Sequence, residues 1–183
     1  MIAKLDDSIL LLCDIQLSFL KVIHEGERVL QRTRFLVEAA HTLGVPIFAT
    51  EQNPTRMGRT ADSLVTFLEP SHIFSKMTFS CCGSKGLVSA MAESGRKQVI
   101  LCGIETHICV TQTVVQLLDE HFSVFLPDDC LSSRGERAHI LGMMRLSQLG
   151  AMRTHSESVV YEWMGTAEHP RFKDILPLVK AHN

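Results

Sequence analysis

One cysteine, Cys109, lies at the kind of position in a protein chain that makes a thiol reactive. It closes the run from Gly103 to Cys109, which follows an apolar, strand-like segment and leads into a helix-like one. At the first turn of a helix, unpaired backbone N–H groups and the positive end of the helix dipole favour the thiolate, the nucleophilic form of cysteine. The pattern therefore predicts a nucleophile at position 109, although a free cysteine is more often a small buried hydrophobe.

Two further reactive side chains follow other strand-like runs. Asp14 comes directly after the apolar run Ile9 to Cys13, and Lys76 follows His72 to Phe74. A carboxylate takes a thiol proton and an ammonium stabilises the anions that form, so an acid, an amine and a thiol in one cleft divide the work of acyl transfer. We predict a triad of Asp14, Lys76 and Cys109. The structural alternatives are an Asp14 that caps a turn and a Lys76 on the surface.

The elements that must position these residues alternate along the chain. Short apolar runs separated by helix-like segments are typical of a three-layer α/β/α fold with a mostly parallel, Rossmann-like sheet. Ligands bind beyond the carboxyl ends of the strands in such sheets, which brings distant residues to one edge. Strands are predicted at 9–13, 45–50, 72–74, 99–102, 124–126 and 151–154, and helices at 27–43, 84–94, 109–121 and 135–149.

Composition limits the class of protein. The chain has 183 residues, 45% of them hydrophobic and 21% charged, which predicts one globular domain over 1–183. A net charge of -2 with interspersed signs, and sparse aromatic residues, argue against a nucleic-acid partner. The longest apolar run is too short to span a membrane, and a basic segment followed by an apolar one is missing at the N-terminus. We therefore expect a cytoplasmic protein.

The six cysteines lack the paired spacing of a disulfide framework. A structural zinc site needs about four ligands, and His107 with Cys109 supplies only two. The glycine patterns of dinucleotide-binding and NTP-binding loops are also missing. We therefore expect reduced thiols, no metal and no cofactor.

Residues near the predicted strand ends are candidates for the walls of a substrate pocket: Phe19, Gln52, Phe79 and His107. Core packing explains Phe19 and Phe79 equally well. His107 lies two residues before the thiol on a tight turn, so we assign it to the lining rather than to a cysteine–histidine dyad. The segment 53–66 breaks the alternating pattern and is either a lid or a solvated loop. Within it, Arg56 and Arg59 either select an anionic substrate or are simply solvated.

Three stretches resemble, in order, the catalytic motifs of the isochorismatase-like cysteine hydrolase superfamily: Leu11 to Gln16, Phe74 to Lys76 and Cys102 to Val110. Three more resemble the subgroup called isochorismatase domain-containing proteins: Thr50 to Gln52, Asp128 to Arg134 and His169 to Ile175. The likeness covers nearly the whole chain.

The resemblance implies roles for single residues. It makes Cys109 the nucleophile, Asp14 the general base and Lys76 the electrostatic partner. It also implies a cis peptide between Ile104 and Glu105, and an oxyanion hole formed by the backbone N–H groups of Glu105 and Cys109. The implied activity is hydrolysis of a small carboxamide or related C–N bond through a thioester acyl-enzyme.

This chain departs from the patterns of two groups in the superfamily, and each departure narrows the range of expected substrates and reactions. Nicotinamidases of the superfamily carry an Asp-x-His metal pattern after the second strand, where this chain reads Glu51-Gln52-Asn53, so neither nicotinamide nor a metal is expected. Isochorismatases that cleave a vinyl ether typically lack the cysteine, so Cys109 argues against that reaction. A scaffold or redox-sensitive binding protein of the same fold remains the alternative to an enzyme.

The expected partners are a small-molecule substrate and further copies of the chain. Superfamily members are commonly homo-oligomers, which the resemblance extends to this protein. Large apolar residues near the C-terminus are candidates for the contact between copies: Trp163, Phe172 and Leu176.

Overall fold

A six-stranded sheet forms the centre of the computed structural model, which describes residues 1–182. In chain order its strands are β1 (Ser8–Cys13), β2 (Ile47–Gln52), β3 (Ile73–Lys76), β4 (Gln98–Gly103), β5 (Ser123–Pro127) and β6 (Met152–Thr154). The spatial order is β3-β2-β1-β4-β5-β6, and every pairing of neighbours is parallel. The predicted fold class and all six predicted strands are confirmed.

Helices connect successive strands and cover the sheet. They are α1 (Leu17–Leu20), α2 (Gly26–Leu43), α3 (Pro54–Met57), α4 (Asp62–Val65), α5 (Leu87–Glu93), α6 (Thr111–Asp119), α7 (Glu136–Gln148), α8 (Ser156–Met164) and α9 (Phe172–Ala181). The four predicted helices are present as α2, α5, α6 and α7, whereas α8 and α9 were not predicted. No helix within residues 1–182 is long and apolar enough to cross a bilayer.

Two apolar layers hold the helices against the sheet. Alternate residues of a strand point to opposite faces, so Leu10 and Leu12 of β1 pack in one layer with α2, α8 and α9. Ile9 and Leu11 pack in the other layer with α5, α6 and α7. Because β1 is covered on both faces, it is apolar at nearly every position.

The strand order reverses between β1 and β4. From β1 the chain proceeds through β2 to β3 on one side, and then returns to place β4 on the other side of β1. In open parallel sheets a crevice forms at this switch point, beyond the carboxyl ends of the two strands. The residues that follow Cys13 and Gly103 are therefore brought to the same crevice.

The segment 53–66 is more ordered than a solvated loop. It contains α3 and α4, and its residue Thr60 forms an antiparallel bridge with Gln16. The buried Glu51 carboxylate accepts hydrogen bonds from the Thr60 backbone N–H at 2.8 Å and from its hydroxyl at 3.0 Å. These contacts fix the segment against the sheet edge.

The suggestion that Trp163 contacts another copy of the chain is wrong. Its side chain is buried in the layer formed with α2 and α9, and its indole N–H donates to the Ser8 hydroxyl at 2.9 Å. Phe172 and Leu176 are half-buried. The homo-oligomer stays a prediction.

Candidate active site

Asp14 and Lys76 form a buried ion pair in the crevice. The Lys76 ammonium lies 2.7 Å from Asp14 Oδ2, and their side chains are 0% and 3% exposed. Asp14 is the first residue after β1, and Lys76 is the last residue of β3. The ordinary alternative of a surface lysine at position 76 is therefore excluded.

Several acceptors orient the Lys76 ammonium. Besides Asp14, it donates to the Gln52 side-chain oxygen at 2.6 Å and to the carbonyls of Phe79 at 2.9 Å and Thr78 at 3.2 Å. Burial acts to lower the pKa of Lys76, but the neighbouring acidic groups of Cys13, Asp14 and Cys81 oppose this and the net pKa is raised. Lys76 therefore keeps its positive charge at neutral pH.

The Asp14 carboxylate is held by a hydroxyl as well. Thr50 donates its hydroxyl proton to Asp14 Oδ1 at 2.8 Å, and the Cys81 sulfur lies 3.2 Å from the same hydroxyl oxygen. Because Thr50 has one proton to give, the Cys81 thiol is the donor in that second contact. Burial raises the pKa of Asp14 above its usual value, against the opposing effects of Lys76, Thr50 and Cys109. The raised pKa makes Asp14 a stronger proton acceptor.

Cys109 lies next to this pair. Both residues line one cavity, and the Cys109 side chain acts to lower the pKa of Asp14. The backbone around it differs from the prediction: Cys109 is the fourth residue of a π-helical turn, Thr106–Val110, and α6 begins at Thr111. The Val110 N–H donates to the Glu105 carbonyl five residues earlier, which widens the turn. Single π-turns often occur at functional sites.

A neighbouring thiol, Cys13, is unsuited to be the nucleophile. Hydrogen bonds to Cys109 and Cys81, together with full burial, raise the pKa of Cys13 well above its usual value. Cys13 thus stays a neutral thiol beneath the crevice. Cys109 is only half-buried and is accessible from the cavity.

The turn that precedes Cys109 presents backbone groups to the cavity. The peptide bond between Ile104 and Glu105 is cis. The Glu105 backbone N–H has no hydrogen-bond acceptor within residues 1–182. The next residue, Thr106, anchors the turn by donating both its backbone N–H and its hydroxyl to the Ser132 carbonyl at 2.9 Å.

Glu105 itself is paired with Arg134. Its carboxylate accepts the Arg134 backbone N–H at 2.9 Å and lies 3.0 Å from the guanidinium Nε. The Glu105 side chain is 17% exposed, and the Arg134 side chain is 63% exposed. Both residues border the cavity, so its rim carries a matched pair of charges.

The cavity has a volume of about 560 Å³, within the range for small-molecule sites. Of the predicted wall residues, Phe19, Gln52 and Phe79 border it. His107, the fourth predicted wall residue, does not border this cavity; it lines a separate one, and its ring nitrogen lies 2.9 Å from the Ser133 hydroxyl. Arg56 and Arg59 do not border this cavity, and Arg59 lines a separate one.

Sequence reasoning missed residues whose contacts arise only from folding. Thr50 and Arg134 were included in motifs that carry the resemblance, but their partners Asp14 and Glu105 are distant in the chain. Further apolar wall residues gave no signal in the sequence: Val22, Ile23, Met57 and Ile108.

In this chain, the residues at the position of the nicotinamidase metal pattern have structural roles. Glu51 is committed to the two hydrogen bonds from Thr60, and Gln52 accepts from Lys76. Within residues 1–182, no group of three or more His, Cys, Asp or Glu side chains is arranged to hold a metal ion.

Fold and crevice together define a three-layer α/β protein with a carboxylate, an ammonium and a thiol at its topological switch point. The chain belongs to the isochorismatase family, since the family's Isochorismatase domain matches residues 8–158. This membership confirms the resemblance found in the sequence.

Named relatives cover most of the chain. A "Secreted isochorismatase effector Isc1" from Phytophthora sojae is 35% identical over 181 residues, which is 96% of this chain and 85% of that protein. "Isochorismatase domain-containing protein 2" from Bos taurus is 36% identical and covers 94% of this chain and 83% of its own length.

A solved structure named "MAR1 Ribonuclease from Caenorhabditis elegans" superposes with a TM-score of 0.92 at 31% identity, covering 98% of this chain and 93% of that one. The Escherichia coli YcaC gene product, described as an octameric hydrolase of unknown specificity, has a TM-score of 0.87 at 20% identity, covering 100% of this chain and 98% of that one. These likenesses place the chain in the fold of isochorismatase-family hydrolases.

Proposed function

We propose that this protein is a cysteine hydrolase that cleaves a carboxamide or related C–N bond of a small molecule. One observation carries the proposal: the Cys109 thiol shares a cavity with the Asp14 carboxylate, which lies 2.7 Å from the Lys76 ammonium. A base next to a thiol, oriented by a third group, is the arrangement that nucleophilic catalysis requires.

In the first half of the reaction, Asp14 accepts the thiol proton and Cys109 Sγ attacks the amide carbonyl carbon. The backbone N–H groups of Glu105 and Cys109 stabilise the oxyanion of the tetrahedral intermediate. The C–N bond then breaks, the departing amine takes the proton from Asp14, and a thioester remains on Cys109.

The second half regenerates the thiol. Water gives a proton to Asp14 as its oxygen attacks the thioester carbonyl. Collapse of the second tetrahedral intermediate releases the carboxylic acid and the thiolate, which recovers its proton from Asp14. Lys76 remains protonated throughout and offsets the negative charge that passes between Asp14 and Cys109.

The test is ammonia release from a panel of aliphatic and aromatic amides, with intact-protein mass spectrometry on quenched samples. We expect turnover together with a mass increase equal to the acyl group, located at Cys109. Cys109→Ser should lose about three orders of magnitude in rate. Cys82→Ser changes another half-buried thiol that does not border the cavity, and should retain activity.

The name of the Caenorhabditis elegans neighbour makes RNA cleavage the competing activity to exclude. Phosphodiester cleavage requires cations that stabilise phosphate charge. Within the described residues that border the cavity, the one cation is Arg134, and Glu105 pairs with it. RNA cleavage that disappears in Cys109→Ser, with no amide turned over by the wild type, would overturn the amidase proposal.

A further inference from the structure

We infer that the cavity selects uncharged amides whose acyl group carries an apolar substituent, and that it rejects substrates bearing a second, anionic group. The inference rests on the proposed function and adds the class of substrate. Three features of the cavity support it: an apolar wall, polar side chains that already have partners, and a charge pair at the rim.

Apolar side chains form most of the wall. They are Phe19, Val22, Ile23, Met57, Phe79, Ile104 and Ile108. Val22 is 59% exposed and Phe79 is 56% exposed. Large apolar side chains held open to solvent around a concave surface favour an apolar ligand that covers them, since burying their area releases water.

The polar side chains of the cavity have partners within the protein. The Ser18 hydroxyl donates to the Met57 carbonyl at 2.5 Å. The Gln52 amide accepts from Lys76 at 2.6 Å and donates to the Met77 carbonyl at 3.2 Å. A ligand thus gains little by presenting polar groups to them, because each new hydrogen bond replaces an existing one.

The charges that border the cavity cancel locally. Arg134 is matched by Glu105 at the rim, and Asp14 is matched by Lys76, which is fully buried and does not itself border the cavity. A substrate carboxylate would meet two protein carboxylates and, among the described residues that border the cavity, no cation without a partner. Removing such a carboxylate from water without a compensating charge is costly, so anionic substrates are disfavoured.

The test compares amides that differ in one feature. Hexanamide and the monoamide of adipic acid have similar lengths, but the second ends in a carboxylate, and acetamide has the same amide without the apolar chain. We expect kcat/KM for hexanamide to exceed that for either compound by about tenfold or more. Equal or faster turnover of the adipic monoamide would overturn the inference.

A second readout does not depend on turnover. Cys109 is alkylated with N-hexyl iodoacetamide, iodoacetamide or iodoacetate, and each rate is divided by the rate of the same reagent with glutathione. We expect the normalised order N-hexyl iodoacetamide, then iodoacetamide, then iodoacetate. This order without amide turnover supports the selectivity and overturns the hydrolase, whereas turnover with iodoacetate as the fastest reagent overturns the selectivity alone.

A charge variant identifies the origin of the selectivity. Glu105→Gln leaves the Arg134 guanidinium without its carboxylate, so the ratio of adipic monoamide to hexanamide turnover should rise by about tenfold. Glu93→Gln removes an exposed acid on α5, away from the cavity, and should leave that ratio unchanged. An unchanged ratio in Glu105→Gln would overturn the inference that the charge pair at the rim rejects anionic substrates.

Discussion

The Lys76 ammonium lies 2.7 Å from the Asp14 carboxylate, and both side chains are withdrawn from solvent. Removing one member of a buried ion pair leaves an uncompensated charge, whereas removing both leaves none. Lys76→Met should therefore lower the free energy of unfolding by about 3 kcal/mol, and the Asp14→Asn/Lys76→Met double variant should recover part of that loss. Asp14 has a φ of 57°, in the left-handed region of backbone conformation. Asparagine tolerates this conformation and is therefore the replacement of choice.

Urea unfolding measures this cycle. Lys85→Met serves as the control, since it removes an exposed lysine. That change should cost no more than about 0.5 kcal/mol. Strictly additive effects of the Asp14 and Lys76 substitutions would show that the two side chains do not stabilise each other.

The two half-buried cysteines should differ in reactivity. Burial raises the pKa of Cys82 to about 11, so little thiolate is present there at neutral pH. Iodoacetamide should modify Cys109 first, and Lys76→Met should slow that modification by about tenfold because the ammonium stabilises the anion. Peptide mass spectrometry gives both rates in one sample.

Lys85→Met, which removes an exposed lysine, is the matched control for this labelling. The rate at Cys82 also reports whether each variant is folded. The role of Cys109 as nucleophile would be contradicted if it is labelled no faster than Cys82. It would also be contradicted if its labelling rate is the same in wild type and Lys76→Met.

Asp128 should make stability depend on pH in the acidic range. A hydrogen bond from His139, with a further contribution from Arg153, lowers the pKa of Asp128 to about 2 against the opposing effect of burial. Because the folded pKa lies below the unfolded value, the stabilisation is complete above about pH 5 and is lost as pH falls towards 2. Since the Asp128 side chain is 33% exposed, solvent screening reduces its contribution to about 1 kcal/mol.

Thermal unfolding of wild type and Asp128→Asn between neutral and acidic pH tests this dependence. The variant should be less stable near neutrality, and the gap should close as pH falls. Asp119→Asn, which removes an exposed carboxylate from α6, controls for the loss of one charge. A gap that stays constant down to pH 3 would rule out ionised Asp128 as its source.

Gly103 should tolerate no side chain. Its φ is 129°, and a Cβ there would collide with the carbonyl oxygen of Cys13, its partner in the β1–β4 pairing. Gly103→Ala should therefore lower the free energy of unfolding by about 3 kcal/mol or more. At Gly135, φ is -119° and a Cβ meets open space, so Gly135→Ala should change stability by no more than about 0.5 kcal/mol. Chemical denaturation of both variants decides whether Gly103 is required.

The sheet was predictable because its central strands are covered on both faces. The continuous apolar runs of β1 and β4 indicated parallel strands, and their ends indicated where Asp14 and Cys109 would lie. The π-turn at Thr106–Val110 was not predictable, since it depends on contacts with the distant Ser132 carbonyl.

The pairing of opposite charges around the cavity was also not predictable from the sequence. Arg134 follows Glu105 by 29 positions, and only the folded loops bring the guanidinium to the carboxylate. The sequence offered Arg56 and Arg59 as candidates for binding an anionic substrate, but neither borders the cavity that contains Cys109. Pairing between distant loops cannot be derived from local patterns of apolar and charged residues.

Because the three reactive side chains lie at or after the ends of different strands of the sheet, the reactivity of the site reports on the progress of folding. Asp14 follows β1 and Lys76 is the last residue of β3, and these two strands are separated by β2. Cys109 follows β4 on the other side of β1. The thiol gains its ionic neighbours only after these four strands have assembled in register. Rapid alkylation during refolding would therefore time the completion of the sheet centre, at a single atom and without an added fluorophore.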